Sequence, residues 1–109
     1  MRFVSGLVAI MMVCFSTVAS AADYYVDITN RTGYAIHYMY VSPASSKTWE
    51  EDVLGQDIMR NGETQRVTLT GYTNPHFDIR LVDEDGDSYT YWTVDVEKQD
   101  IVVTLEHLD

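Results

Sequence analysis

From Tyr24 onward the chain alternates apolar and polar residues in short runs bounded by turn formers. This period of two is the signature of β-strands. Residues 24–29 place Tyr24, Val26 and Ile28 on one face. Residues 34–41 carry Tyr34, Ile36, Tyr38 and Tyr40 on one face and Ala35, His37, Met39 and Val41 on the other. Both faces are largely apolar, as expected of a central strand. Residues 65–70 direct Val67 and Leu69 inward, and residues 77–82 direct Phe77, Ile79 and Leu81 inward with Asp78 and Arg80 outward. Residues 88–96 assign Trp92, Val94 and Val96 to one face and Tyr89, Tyr91, Thr93 and Asp95 to the other, and residues 101–105 turn Ile101, Val103 and Leu105 inward. One stretch breaks the alternation. In residues 48–55, Thr48 and Glu51 form a Thr-x-x-Glu capping box, acids crowd the first turn and Gly55 suits the C′ position, which predicts one or two turns of helix with Trp49, Val53 and Leu54 beneath it. Asn61-Gly62 then predicts a tight turn. Six strands at this spacing with one short helix imply an all-β fold, a small antiparallel β-sandwich or open barrel. The outer run, residues 24–29, reads as an exposed edge able to accept a partner strand.

The first residues obey a different logic. Arg2 supplies a positive end, residues 7–15 are uninterruptedly apolar, and Ala19-Ser20-Ala21 is the small-x-small pattern of a signal peptidase site. Residues 1–21 are expected to be a secretory signal peptide and residues 22–109 a single domain. The apolar run is too short to span a bilayer, and no later segment approaches the length needed. Cys14 follows Val13, which is not the small residue that lipidation requires, and it leaves with the leader. The exported chain is then cysteine-free and cannot use a disulfide. At 88 residues it has little surface to bury, so its packing must be efficient. The expected location is the periplasm or the extracellular medium.

Charge narrows the partners. Seventeen acidic residues oppose seven basic ones, for a formal net charge of −10. Loss of Arg2, the one charged side chain in the leader, takes this to −11. Such a surface repels phosphate backbones and excludes nucleic acid as a partner.

The arrangement Asn30-x-Thr32-Gly33, Tyr40-Val41-Ser42, Trp49-x-x-Asp52-x-Leu54-Gly55, Gly62 and Phe77-Asp78-Ile79-Arg80-x-x-Asp83-x-Asp85-Gly86 resembles a family of small secreted bacterial β-domains of unknown function. Some members carry an argininosuccinate lyase label. The resemblance spans nearly all of residues 22–109 and implies an exported β-domain. It brings no catalytic residues, and a short strand-rich chain has no place for the long helices and shared active site of that lyase.

The sharpest candidate chemistry is the acidic turn Asp83-Glu84-Asp85-Gly86-Asp87. Asp83, Asp85 and Asp87 occupy positions 1, 3 and 5, the alternation by which calcium loops collect oxygen ligands. The match is partial: Gly86 falls at position 4 instead of 6, Val94 stands where a bidentate glutamate would be, and strands flank the turn. The competing reading is a solvated hairpin turn with Gly86 at positive φ. All eight tyrosines lie beyond the leader. Tyr89 and Tyr91 could form an exposed row able to stack on sugar rings; the competing and favoured reading is that the tyrosines, Tyr34, Tyr38 and Tyr40 first among them, fill a small core with their hydroxyls at the rim. His37, His76 and His107 show no zinc-ligand spacing, and no nucleophile elbow or phosphate loop is present. Glu50, Glu51 and Asp52 could serve a hydrolase only beside His76 or His37; at a helix start they are better explained as capping. Asn30-Arg31-Thr32 has the form of a glycosylation sequon but is expected to be a turn. Together these features point first to an exported, non-catalytic binding module for an envelope component or protein, needing no cofactor. A calcium-dependent β-module, with carbohydrate as one ligand class, comes second, and a small hydrolase third.

Overall fold

A computed structural model describes residues 22–109; the signal peptide expected over residues 1–21 lies outside the described residues. Six strands succeed one another: β1 (Ala22–Asn30), β2 (Ile36–Pro43), β3 (Thr64–Tyr72), β4 (His76–Asp83), β5 (Ser88–Asp95) and β6 (Ile101–Val103). A single turn of 3-10 helix, Leu105–His107, comes after β6. The strands form two three-stranded sheets, β3-β1-β6 and β2-β4-β5. The all-β sandwich expectation holds, with one departure: β1 pairs antiparallel with β3 but parallel with β6.

The core lies between the sheets. Val26, Ile28, Val67, Leu69, Ile101 and Val103 from one sheet meet Ile36, Met39, Val41, Phe77, Ile79, Leu81, Tyr89 and Val94 from the other. Tyr24 and Tyr72 close one end against Phe77 in edge-to-face contacts, with centroids 6.4 and 5.0 Å apart.

Two β-bulges reset the side-chain alternation. The first, between Ile36 and Tyr38, moves Met39 and Val41 onto the core face with Ile36. Tyr38 and Tyr40 are therefore turned to the outer face instead of filling the core, and Tyr34, in the turn before β2, is exposed as well. The second lies where Phe77 pairs Val94 and Ile79 pairs Tyr91, so that Trp92 and Thr93 together oppose Asp78. An extra residue bends the strand and re-aims the side chains beyond it. Tyr89 and Tyr91 accordingly face the core with Val94, and Trp92, expected inside, turns outward and is 66% exposed. Thr93 takes φ 53° to accommodate the bulge.

The helix expected over residues 48–55 is absent. Its acceptors serve backbone groups elsewhere. The Met39 and Leu54 N–H groups donate to Asp52 Oδ1 at 2.8 and 3.0 Å, and the Glu50 N–H donates to Ser42 Oγ at 2.7 Å. Val53 N–H donates to Met39 O, and Ile36 exchanges both backbone bonds with Met59. The connection thus covers the outer side of β2, which is an edge strand and not the central one. An isolated helix of one or two turns has little stability of its own, whereas bare strand edges invite association. Leu54 is buried beneath the connection, and Val53 points to solvent. The strand expected at an edge, β1, is central in its sheet.

Asn30 shows how tightly the β1–β2 turn is built. It is fully buried, its Nδ2 donates to Tyr34 O and Met59 O at 2.7 and 3.0 Å, and its Oδ1 accepts from Thr32 N and Oγ1. The side chain is spent on the turn, as the turn reading of this sequon expects.

Candidate functional site

The two bulges and the covering connection bring aromatic rings together on the outer face of the β2-β4-β5 sheet. Tyr38 and Tyr40 succeed one another along β2 with nearly parallel rings, 6.5 Å between centroids and 7° between planes. Trp49, carried by the connection, sits 6.4 Å from Tyr40, and Trp92 sits 5.8 Å from Trp49. His37 extends the row beyond Tyr38 at 6.5 Å. Trp92 and Tyr38 are exposed, while Tyr40 and Trp49 are half-buried beneath them. Isolated exposed apolar residues are ordinary, but a contiguous patch marks an interaction surface.

Polar groups are set among the rings. A small cavity of about 90 Å³ is lined by Ser42, Ser46, Lys47, Thr48, Trp49, Asp78 and Trp92. Asp78 is 8% exposed, and its Oδ1 accepts the Thr93 N–H at 2.8 Å. The hydrogen bond ties the strained Thr93, and with it Trp92, to the neighbouring strand. Among the described residues no donor reaches Asp78 Oδ2. Arg80 lies on the same outer face, where its guanidinium reaches Ser88 Oγ at 3.4 Å.

Tyr89 and Tyr91 form no exposed row; both face the core, as the core-filling reading of the tyrosines expects. Tyr89 is fully buried, and its hydroxyl donates to Asp83 Oδ2 at 2.8 Å. Burial, then the hydrogen bond and charge of Asp83, push its pKa well above the ordinary tyrosine value. Tyr91 packs on the core and against the His107 ring at 4.9 Å, its buried hydroxyl has no partner among the described residues, and burial raises its pKa to about 12.

The acidic turn does bring its carboxylates together: ligand atoms of Asp83, Asp85 and Asp87 lie within 4.8 Å of one another. They differ in employment. Asp83 is buried, and its Oδ1 accepts from the backbone N–H groups of Asp85 and Asp87 at 2.9 and 3.0 Å while Oδ2 accepts from Tyr89. Glu84 is tied to β2, accepting from Ala35 N–H through its carboxylate and donating its own N–H to Ala35 O. Asp85 and Asp87 remain exposed, and Gly86 takes φ 85°, as the hairpin reading requires.

The hydrolase grouping does not assemble around His76. His76 opens on a separate cavity lined by Pro43, Ala44, Ser45, Tyr72, Asn74 and Thr93, without Glu50, Glu51 or Asp52. Its ring Nδ1 lies 2.8 Å from Asn74 Oδ1, and its Nε2 lies 3.9 Å from Asp95. Glu50 and Glu51 are exposed. On the opposite sheet, Arg66 lies 4.0 Å over the Tyr25 ring and forms two hydrogen bonds with Asp27, which hold the Asp27 carboxyl below its usual range.

Periodicity does not single out the residues of the aromatic face. Residues 88–96 are apolar on both alternations, so the phase that exposes Trp92 is decided only by the bulge opposite Asp78. No helix among the described residues is long and apolar enough to cross a membrane. Comparison with protein-family models, curated proteins and solved structures finds no match to this chain.

Proposed function

We propose that this chain is an exported, non-catalytic binding domain of the bacterial cell envelope and that the aromatic face of the β2-β4-β5 sheet is its contact surface. The observation that carries the reading is the row Tyr38, Tyr40, Trp49, Trp92, which the sheet and its covering connection hold outside the core. Trp and Tyr are the side chains that dominate binding energy when desolvated. Export rests on the leader in residues 1–21 and on the resemblance to small secreted β-domains. The net acidity keeps the partner away from nucleic acid.

The test is sedimentation of the purified protein with isolated bacterial envelope. The native protein pellets with the envelope, and Trp92→Ala stays in the supernatant with an unchanged melting temperature. Equal behaviour of the two proteins would refute the reading.

A second reading, a calcium-dependent β-module, draws support from the convergence of Asp83, Asp85 and Asp87. At a hundred times its Kd, a folded-state ligand adds about 2.7 kcal/mol of stability. Millimolar Ca²⁺ would then raise the melting temperature by several degrees over chelator, and Asp85→Asn would abolish most of the rise. Superimposable melting curves would eliminate it.

A further inference from the structure

Resting on the binding reading above, we infer that the aromatic face takes a neutral, β-linked chain of hexopyranoses with equatorial substituents, laid across Trp92, Trp49, Tyr40 and Tyr38 with a hydroxyl-bearing edge over Asp78. A sugar of this configuration has flat faces lined by C–H groups and a rim of hydroxyls. The site has the complementary duality. Its rings offer apolar faces that turn progressively along the row, by 7°, 49° and 38° from one ring to the next, while Asp78, Ser42, Ser46 and Thr48 stand beside the two tryptophans. Asp78 Oδ1 is already occupied by the Thr93 N–H, which leaves Oδ2 to accept a hydroxyl. Asp78 Oδ2 is thus an acceptor held beside the tryptophans on a side chain only 8% exposed.

The ring spacing extends the argument from one sugar to a chain. Successive centroids are 6.5, 6.4 and 5.8 Å apart, each step comparable with the length of one hexose unit. The cavity beside the tryptophans, about 90 Å³, is far below the roughly 300 Å³ at which ligand pockets begin. It receives one substituent of a ring, not a whole sugar, so the chain passes over the face instead of entering end-on. A cage for a quaternary ammonium does not fit, because Trp49 and Trp92 lean on one another and Lys47 lines the same cavity. The acidity of the domain disfavours an anionic glycan.

Both tryptophans of the chain lie at this site, so intrinsic fluorescence reports on it alone. The experiment titrates the full exported protein with cellohexaose, chitohexaose and the α-linked maltohexaose, reading fluorescence and calorimetry. At least one β-linked hexasaccharide is expected to bind and shift the emission to the blue, with maltohexaose much weaker. Trp92→Ala should weaken that binding about tenfold, and Trp92→Phe should retain most of it. Asp78→Asn keeps an oxygen for Thr93 N–H but turns an amide nitrogen toward the ligand, and it should weaken binding about tenfold with an unchanged melting temperature. Binding of neither β-linked chain, or equal binding of maltohexaose, overturns the inference, as does undiminished affinity in folded Trp92→Ala. If the sugars fail while Trp92-dependent sedimentation with envelope persists, the binding reading survives and only the ligand class is lost. If sedimentation fails as well, both fall.

Discussion

Asp83 is a buried acid whose removal the structure makes costly. Its buried carboxylate accepts three hydrogen bonds, two from the turn backbone at Asp85 and Asp87 and one from the hydroxyl of Tyr89. Asp83→Ala releases the two backbone N–H groups to water, where they find new partners at small cost. The Tyr89 hydroxyl has no such outlet, because Tyr89 is fully buried. Hydrogen bonds to charged groups contribute about 1.5–3 kcal/mol, and a stranded buried polar group costs about 1–3 kcal/mol. The two overlap, which places the loss at about 3–4 kcal/mol. For a domain of this size each kcal/mol moves the melting temperature by about 4–8 °C, so the expected fall is roughly 12–32 °C. Asp85→Ala removes a carboxylate from the same turn that receives no hydrogen bond among the described residues, and it should lie within about 0.5 kcal/mol of the native protein. Thermal melts and urea titrations followed by circular dichroism provide the measurement. A double-mutant cycle with Tyr89→Phe should return a coupling of about 1–3 kcal/mol. If Asp83→Ala melts no lower than Asp85→Ala, Asp83 does not organise the turn and the reasoning fails.

Other outcomes depend on single features. Tyr89 and Tyr91 have folded pKa values raised above the ordinary value of 10, chiefly by burial. Their contribution is whole below pH 10 and is lost as pH rises through the folded values, about 12 for Tyr91. A pH series of melts should fall on this alkaline limb, and Tyr91→Phe, which removes a hydroxyl without a partner, should soften the fall and cost no stability at neutral pH. Asn30→Asp sets a carboxylate against the carbonyl oxygens of Tyr34 and Met59. Its stability loss of about 2–4 kcal/mol at neutral pH should shrink as pH drops below the carboxylate range and the acid becomes a donor; a loss independent of pH would argue against it. Thr93→Asn places a residue tolerant of positive φ at the strained bulge and should raise stability by about 0.5–1 kcal/mol, whereas a lower melting temperature would show that the bulge stores no strain.

All six strands could be placed from alternation and turn chemistry, because each has apolar residues at alternate positions between glycine-, proline- or acid-rich turns. What alternation could not supply was its own phase. A single extra residue opposite Asp78 reverses the face of Trp92 relative to Val94, and the bulge at Ile36 does the same for Tyr38 relative to Ile36. Strand position within the sheets was likewise hidden. Residues 34–41 look central because both faces are apolar, but one face serves the aromatic row and the outer edge is covered by Asp52, Val53 and Met59. The Thr48 and Glu51 pattern formed no capping box, because the Asp52 carboxylate and the N–H groups of Glu50 and Val53 found partners on β2 instead. The convergence of Asp83, Asp85 and Asp87 was legible; that Asp83 is committed to Tyr89 was not, since it depends on Tyr89 facing inward.

The parallel pairing of β1 with β6 also has a kinetic meaning. The Asp27 N–H finds its acceptor on Asp100, 73 residues away, and Ile28, Thr29 and Asn30 align with Ile101, Val102 and Val103. The first strand cannot settle between its neighbours until residue 103 is at hand. The local β4–β5 hairpin can form early, but closing so long a loop is slow, and folds rich in distant pairings take milliseconds to seconds.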